Sequence, residues 1–226
     1  MYVLHYAPDN ASMIIRLVLE GTGLPYRTAL VDRSIRQQDS AAYRQLNPTG
    51  LIPTLETEDG PIAETAAILL WLGERHGLVP LAGAADRAVL LRWLFFISNT
   101  PHADLRAMFY PDLYVPLEAK SGHHAIMAVR MQKHFAILDR VASQHPALFT
   151  PGGILAPYVC ALMRWSVLYP RGQGRWFDLG RYPALQAMAL AMEAAPQTAR
   201  VAQIEGLGLR PFTQPVLARP SEGSAT

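Results

Sequence analysis

The sequence has little of what secreted, membrane-spanning or nucleic-acid-binding proteins need. Its 226 residues include a single cysteine, Cys160, so no disulfide can form within the chain and a reducing compartment is the expectation. Only 17% of residues are charged and the net charge is +2, without a long basic run, which argues against a nucleic-acid partner. The longest apolar runs, such as VLLRWLFFI from Val89, are too short for a membrane span and contain Arg92.

The N-terminal residues do not indicate export either. The segment MYVLHYAPDN lacks the basic and then apolar pattern of a secretory signal, so we expect a cytoplasmic protein. Half of the residues are hydrophobic, which is enough for a substantial core in one large domain or two modest ones. The low charged fraction also fits a buried subunit interface.

The first 77 residues alternate between strand and helix patterns. The predicted elements are a strand at 2–6, a helix at 12–21, a strand at 25–32, a polar helix at 35–46, strands at 51–55 and 61–63, and a helix at 65–76. A strand–helix–strand start predicts parallel strands. The dipeptide Asp59-Gly60 predicts a hairpin turn and therefore an antiparallel edge.

The remainder of the chain has helical patterns. Residues 78–86 are rich in Gly, Ala and Pro and are predicted to be a linker. Residues 87–226 are predicted to form an all-α domain, in which four segments have the strongest helical patterns: 87–99, 121–143, 157–169 and 183–194. The fold class is therefore an α/β domain followed by an all-α domain. The tail from Pro211 is expected to be loosely ordered at its end.

Proline 53 is anomalous within the stretch GLIPTLETEDGP, residues 50–61. It interrupts an apolar run that reads as a strand, and proline has no N–H to give to a sheet ladder. The residues alone allow two interpretations, which are a trans proline on an exposed edge strand or a bend at a cis Ile52-Pro53 bond.

Two segments resemble the cytosolic glutathione transferases. They are NPTGLIPTLETEDGPIAETAAILLWLGERHG at 47–77 and LHYAPDNAS at 4–12, and the order of the predicted elements agrees with them. The resemblance covers most of the chain and is strongest over the first 80 residues. It implies a thioredoxin-like N-terminal domain, a helical C-terminal domain, glutathione as co-substrate and a two-fold homodimer. Nucleic-acid and membrane partners are not expected.

The resemblance implies a glutathione site on the N-terminal domain. In thioredoxin-like folds a cis bond precedes the matching proline, so Ile52-Pro53 is expected to be cis. Glutathione would pair with the backbone of Leu51, Ile52 and Pro53 as a short extra strand. At the next helix start, Glu64 would take the ligand's ammonium and Thr65 would cap the helix and donate to a carboxylate. The alternative is a plain helix cap beside a solvated glutamate.

Catalysis in this family depends on ionising the glutathione thiol, whose free pKa is about 8.5. The resemblance puts the activating residue in the loop YAPDNAS, where Ser12 is the first candidate, followed by Asn10 and Tyr6. The bacterial beta-like branch often reads Y-S-P-G-A-C-S, and its cysteine aligns with Ala11, so mixed-disulfide chemistry on a protein cysteine is not expected. The alternative is that Ser12 only caps the first helix.

The helical domain is expected to supply the pocket for the electrophile. Its candidate residues lie in NTPHADLRAMFYPDLY at 99–114 and are His102, Arg106, Phe109, Tyr110 and Tyr114. Phe109 and Tyr110 could equally belong to the core. No metal site is predicted, because adjacent histidines such as His123 and His124 do not face one way on a helix.

The predicted function is therefore that of a glutathione transferase acting on a small hydrophobic electrophile. The rival hypothesis is a non-catalytic member of the same fold that binds glutathione or another protein. The identity of the electrophile does not follow from the sequence, because the shape of the pocket sets the specificity.

Overall fold

The chain begins with a four-stranded sheet, and the computed structural model describes residues 1–225. The strands are β1 (Tyr2–Tyr6), β2 (Tyr26–Leu30), β3 (Thr54–Thr57) and β4 (Gly60–Ala63). Their order across the sheet is β2-β1-β3-β4. Strands β1 and β2 are parallel, and β3 is antiparallel to both β1 and β4. The predicted parallel start and antiparallel hairpin are confirmed.

Three helices pack with this sheet, namely α1 (Ser12–Thr22), α2 (Ala41–Leu46) and α3 (Thr65–Arg75). The prediction of one helix over 35–46 is wrong in its first half, where residues 33–35 and 37–39 form 3-10 turns. The reason is local, since Arg36 between the two turns has a φ of 55°, which an α-helix cannot accommodate.

Strand β3 avoids the conflict that Pro53 raises. The predicted strand at 51–55 is displaced, because pairing with β1 begins only at Thr54. Pro53 therefore precedes the ladder and removes no hydrogen bond from it. The Ile52-Pro53 peptide bond is cis, as the resemblance implied. The hairpin turn between β3 and β4 consists of residues 58 and 59, and Gly60, with a φ of 105°, opens β4.

The C-terminal part is helical. Its helices are α4 (Arg87–Ile97), α5 (Ala103–Phe109), α6 (Lys120–Gln144), α7 (Leu155–Leu168), α8 (Pro183–Ala194) and α9 (Pro196–Glu205). A π-helical segment, Ser98–His102, joins α4 to α5 and contains Pro101. Helix α7 is central, because its residues 155–166 are all buried. Within residues 1–225, no helix combines the length and the apolar character needed to cross a membrane.

A buried ion pair joins the two parts of the chain. Asp9, in the loop between β1 and α1, accepts hydrogen bonds from Arg164 Nε at 2.8 Å and Arg164 Nη2 at 2.9 Å. Trp165 Nε1 donates to the same carboxylate at 2.9 Å. Arg164 also donates to the carbonyl oxygens of Leu207, Pro211 and Val216. One guanidinium thus holds the β1–α1 loop, α7 and the C-terminal tail together.

A second buried pair lies next to the first. The backbone N–H of Asp9 donates to Glu205 Oε2 at 2.8 Å, and Glu205 Oε1 lies 3.1 Å from Arg16 Nε. Both Arg16 and Glu205 are buried, and the Arg16 guanidinium lies over the ring of Tyr6 at 4.2 Å. Burial raises the pKa of the Glu205 carboxyl to about 7, against the opposing effect of Arg16. Helix α9 is thereby fixed to α1 and to the same loop.

The end of the chain, which the sequence analysis expects to be loosely ordered, returns to the N-terminal domain, and its last residue lies outside the described residues. We call residues 219–225 the C-terminal strap. Glu222 accepts a hydrogen bond from the Tyr6 hydroxyl, and the carbonyl oxygen of Ala225 accepts one from Arg33 Nη1 at 2.7 Å. Between them, Gly223 lies so close to Leu30 and Pro8 that a Cβ atom would clash with Leu30.

Replacing Arg164 tests the role of the buried pair. We expect Arg164→Met to lower the free energy of unfolding by about 3–5 kcal/mol, because it leaves the Asp9 carboxylate buried without its counter-charge. Equilibrium denaturation with urea would measure the change. The double variant Asp9→Asn with Arg164→Met should recover part of the loss. A matched control is Arg140→Met on the exposed face of α6, and an equal effect of both arginine substitutions would contradict the assignment.

Candidate functional site

The predicted glutathione-site segments lie at the same end of the sheet. His5 pairs with Thr54, and Thr54 pairs with Ala63, so the three residues form one row across β1, β3 and β4. The chain leaves this row through residues 7–12 after β1, enters it through residues 51–53 before β3, and leaves it again at residues 64–65 after β4. Helices α1 and α3 therefore both begin at the same end of the sheet as the 51–53 segment.

The two helix starts have the same design. The first helical residues are Ser12 in α1 and Thr65 in α3, and the N-caps are Ala11 and Glu64. The structure thus differs from the expectation that either hydroxyl residue is an N-cap. Neither N-cap side chain bonds to its helix. Backbone N–H groups at such ends carry partial positive charge and can bind an anion.

Glu64 has an unusual backbone conformation, with φ 68° and ψ 116°. A non-glycine residue rarely adopts a positive φ, and the strain is of the order of 1–3 kcal/mol. The surrounding structure holds it, since the carbonyl of Glu64 accepts the N–H of Ile68 at 3.0 Å. The Glu64 residue is exposed, and the neighbouring Thr65 is buried. The strained residue therefore sits at the mouth of the site.

The segment 51–53 is held from behind by two residues that the sequence analysis missed. Tyr43 donates its hydroxyl and Asn47 its amide nitrogen to the carbonyl oxygen of Leu51, each at 2.7 Å. Pro53 is buried, Ile52 is partly buried and Leu51 is exposed. The backbone of Ile52 lies outside the β1–β3 ladder, where an extended peptide can pair with it.

The three candidate activating residues have different surroundings. Ser12 is buried, and its hydroxyl donates to the carbonyl of Ala7 at 3.0 Å. Tyr6 points its hydroxyl at Glu222, and burial followed by this hydrogen bond raises its pKa to about 12. Asn10 is partly exposed, and its Oδ1 accepts from the Ala11 N–H at 2.7 Å. Asn10 is thus the least buried of the three candidates.

Two of the predicted pocket residues pack inward. His102 Nδ1 lies 2.7 Å from the hydroxyl of Tyr158, and its ring centroid is 5.9 Å from that of Trp165. Burial, with a smaller effect from Arg106, lowers the pKa of His102 to about 4. Phe109 meets the ring of Tyr169 edge-on at 5.9 Å. Phe109 is partly buried and packs against the hydrophobic core, which agrees with the alternative interpretation of this residue.

The other three predicted pocket residues form an exposed cluster. Arg106 Nη1 donates to the hydroxyl of Tyr114 at 2.6 Å, and Arg106 Cζ lies 5.9 Å from the ring centroid of Tyr110. Tyr110 and Tyr114 are 42% and 48% exposed, so the alternative of Tyr110 as a core residue is wrong. The cluster includes Arg33, which the sequence analysis missed and which donates to the Tyr110 hydroxyl at 2.9 Å.

His123 stacks on Tyr114 of this cluster, whereas His134 and Cys160 bond or pack elsewhere. His123 bonds to the carbonyl of Ala107, and His134 bonds to Asp104. Within residues 1–225, no three His, Cys, Asp or Glu side chains form a metal-binding group. Cys160 is buried in α7, and burial raises the pKa of its thiol well above the ordinary value, which makes it unreactive.

Comparison with known proteins gives related sequences over most of the chain. A family profile described as Glutathione S-transferase, N-terminal domain, matches residues 11–75. The disulfide-bond oxidoreductase YfcG of Escherichia coli K12 is 34% identical over 207 residues, which cover 88% of this chain and 93% of that protein. Glutathione S-transferase GST-4.5 of Xanthomonas campestris is 29% identical over 119 residues, which cover 51% of this chain and only 57% of that relative.

A solved structure has the same fold. A glutathione transferase homologue from Sulfitobacter with bound glutathione aligns with a TM-score of 0.76, over 90% of this chain and 97% of that one. The identity is 22%, so the likeness concerns the fold. It agrees with the four-stranded sheet and the helical part described above.

The surroundings of His102 predict a pH dependence of stability. Its pKa is lower in the folded chain than in the unfolded chain, where it is near 6.5. The resulting stability is present above the unfolded pKa and is lost as the pH falls toward 4. Between about pH 7.5 and about pH 5, His102→Gln should therefore lose about 2 kcal/mol less unfolding free energy than the wild type. Equal losses in urea denaturation would contradict the prediction.

Proposed function

Because the chain belongs to the glutathione transferase family, we propose that it is a glutathione transferase acting on a small hydrophobic electrophile. The proposal rests on one observation, which is that the 51–53 segment and the N-termini of α1 and α3 lie at the same end of the sheet. These are the three parts that a peptide thiol needs, namely a backbone to pair with, an anchor for its charged end and donors for its sulfur.

The glutathione backbone would pair with Ile52, whose N–H and C=O lie outside the ladder. The γ-glutamyl end carries an ammonium and a carboxylate. The Glu64 side chain suits the ammonium, and the Thr65 hydroxyl with the first N–H groups of α3 suits the carboxylate. Leu51 and Pro53, on either side of Ile52, would also contact the glutathione backbone. This assignment is supported by the geometry of this end of the sheet and by the family.

The thiol would be ionised at the start of α1. Lowering its pKa by about two units requires about 2.7 kcal/mol of differential stabilisation. The helix N-terminus and a hydrogen bond from the Asn10 amide are together of this size. Ser12 stays a candidate, but its hydroxyl first has to leave the carbonyl of Ala7. Tyr6 is the weakest of the three, because Glu222 holds its hydroxyl.

The chemical step would use only the thiolate. The thiol proton passes to solvent, the sulfur attacks an electrophilic carbon of the acceptor, a C–S bond forms and the leaving group departs with the electron pair. The acceptor would lie beside His102 and Phe109. The exposed rings of Tyr110 and Tyr114 would face the solvent side of this proposed pocket.

A second candidate is glutathione-dependent disulfide reduction. It is favoured by the relative that covers 88% of this chain, which is named a disulfide-bond oxidoreductase. Ala11 stands where the beta-like branch has cysteine, so glutathione itself would supply the thiols. One thiolate would attack a substrate disulfide and release one half as a thiolate. A second glutathione would then release the other half and leave oxidised glutathione.

We further propose a two-fold homodimer through α4 and α6. Phe95 on α4 is 46% exposed, and Ile126 and Val129 on α6 are 60% and 52% exposed. Light scattering should give twice the chain mass of 24.9 kDa. Val129→Asp should shift the assembly toward monomer, because it buries a charge in the interface. Leu209→Asp, at a fully exposed residue after α9, is the matched control and should leave the mass unchanged.

A calorimetric titration with reduced glutathione tests the site. Near neutral pH, in two buffers that differ in ionisation enthalpy, binding should release a fraction of a proton as the thiol ionises. Thr65→Val should weaken binding by roughly 10- to 100-fold, the size of a hydrogen bond to a charged group. Asn10→Ala should spare the affinity and reduce the proton release, because it removes a donor to the thiolate.

The control for the titration is Thr28→Val, which removes an exposed hydroxyl from β2. Proton release in the wild type justifies assays with a chlorodinitrobenzene and with a glutathione-reducible disulfide, and the preferred substrate separates the two candidate reactions. Binding without proton release points to the non-catalytic alternative. Absence of binding at millimolar glutathione would contradict the site assignment.

A further inference from the structure

Two arginines of the exposed cluster bond only to uncharged groups within residues 1–225. Arg33 donates to the carbonyl of Ala225 and to the hydroxyl of Tyr110, and Arg106 donates to the hydroxyl of Tyr114. Across residues 1–225, neither guanidinium makes an ion pair.

Two arginines that follow Arg33 in the chain do form ion pairs. Arg36 and Arg44 both pair with Asp39 at 2.8 Å. The carboxylate of Asp32, next to Arg33 in the chain, accepts instead the N–H and the hydroxyl of Ser34. Among residues 1–225, no side-chain carboxylate pairs with Arg33.

The strap fixes where Arg33 lies relative to the proposed thiol site. Gly223 contacts Pro8 in the β1–α1 loop, and Ala225 bonds to Arg33. Two residues of chain span at most about 7 Å, so the Arg33 guanidinium lies close to the loop that leads into α1. Its bond to Tyr110 brings the end of α5 to the same place.

Flat rings and cations alternate in this cluster. The Arg106 guanidinium lies over the Tyr110 ring, and His123 stacks on Tyr114 with the ring centroids 6.4 Å apart. Exposed tyrosine rings offer stacking surfaces for an aromatic ligand. A guanidinium is the side chain that best matches the two oxygens of a carboxylate, and the strap carbonyl on Arg33 marks an acceptor position there.

We propose that Arg33 and Arg106 select aromatic electrophiles that carry a carboxylate on the side away from the reacting carbon. The inference rests on the proposed function and names the substrate class of that site. The thiolate at the start of α1 attacks the ring carbon that bears a halide, the C–S bond forms and halide leaves with its electron pair. The carboxylate meanwhile stays on the guanidinium groups.

The test compares a chlorodinitrobenzoate, with chlorine para to the carboxylate, and its methyl ester. For each, kcat/KM is divided by the rate constant of the uncatalysed reaction with glutathione. The normalised ratio of acid to ester should exceed about 10 in the wild type and fall about 10-fold in Arg33→Met and in Arg106→Met. Arg33→Lys should retain part of the preference, and added salt should reduce it.

The control is Arg27→Met, which removes an exposed arginine of β2 and should leave the ratio unchanged. The inference is overturned if both arginine variants slow acid and ester equally, or if they raise only the KM for glutathione. The first result would make Arg33 an anchor of the strap, and the second would assign it to glutathione itself. Ester turnover without an acid preference would overturn the inference and leave the proposed function standing.

If neither compound is turned over, the proposed function fails and the inference is tested by binding. The two preformed S-aryl conjugates of glutathione, one with the free carboxylate and one with the ester, are titrated calorimetrically. Tighter binding of the acid conjugate that is lost in Arg33→Met supports the inference. Equal affinities, or no binding of either conjugate, overturn it.

Discussion

The ion pair between Asp9 and Arg164 is the interaction on which the rest of the structure depends. A guanidinium has five N–H donors, and all five of Arg164 are used, two on Asp9 and three on backbone carbonyls of residues 207–216. A charge with no solvent contact is tolerated only when its partners are complete. The β1–α1 loop, α7 and the tail therefore have to assemble together.

The same ion pair fixes the loop that leads into the proposed thiol site. Asp9 has a φ of 49°, its carboxylate is fixed to α7, and its N–H is fixed to Glu205 of α9. Asn10 and the start of α1 follow immediately, so their positions relative to α7 and α9 are fixed by the same network. Donors that are already oriented stabilise a developing anion without reorganisation. The buried network would therefore support the proposed ionisation of the thiol without contacting it.

The sequence predicted the elements whose causes are local. The sheet, the hairpin, α1 and α3 follow from alternation, turn residues and helical spacing. The helix over 35–46 failed at Arg36, whose left-handed conformation no pattern announces. Arg16 is buried against Glu205, which is 189 positions away, and no pattern in α1 predicts this pairing. Pairings over such separations leave no periodic signal.

The sequence predicted which segments form the proposed site but not which residue would activate the thiol. The segments that resemble the family located residues 51–53 and 64–65, and the sheet register brings these residues to the same end of the sheet. The resemblance did not settle the ranking of Ser12, Asn10 and Tyr6 for this role, because their ranking depends on the carbonyl of Ala7 and on Glu222 from the far end of the chain. Arg164 within PYVCALMRWSVLY was a usable signal, since a lone charge in a buried helix requires a buried partner.

Buried and partly exposed arginines of this chain have different kinds of partner. Arg16 and Arg164 are buried and lie against carboxylates, because an unpaired charge there would cost several kcal/mol. Arg33 and Arg106 are partly exposed, so the lack of a carboxylate partner within residues 1–225 costs less there. Both bond to neighbouring groups, and Arg33 also holds the strap through Ala225. The proposed role of the two guanidinium groups, beside two exposed tyrosine rings, is to bind the carboxylate of an aromatic ligand.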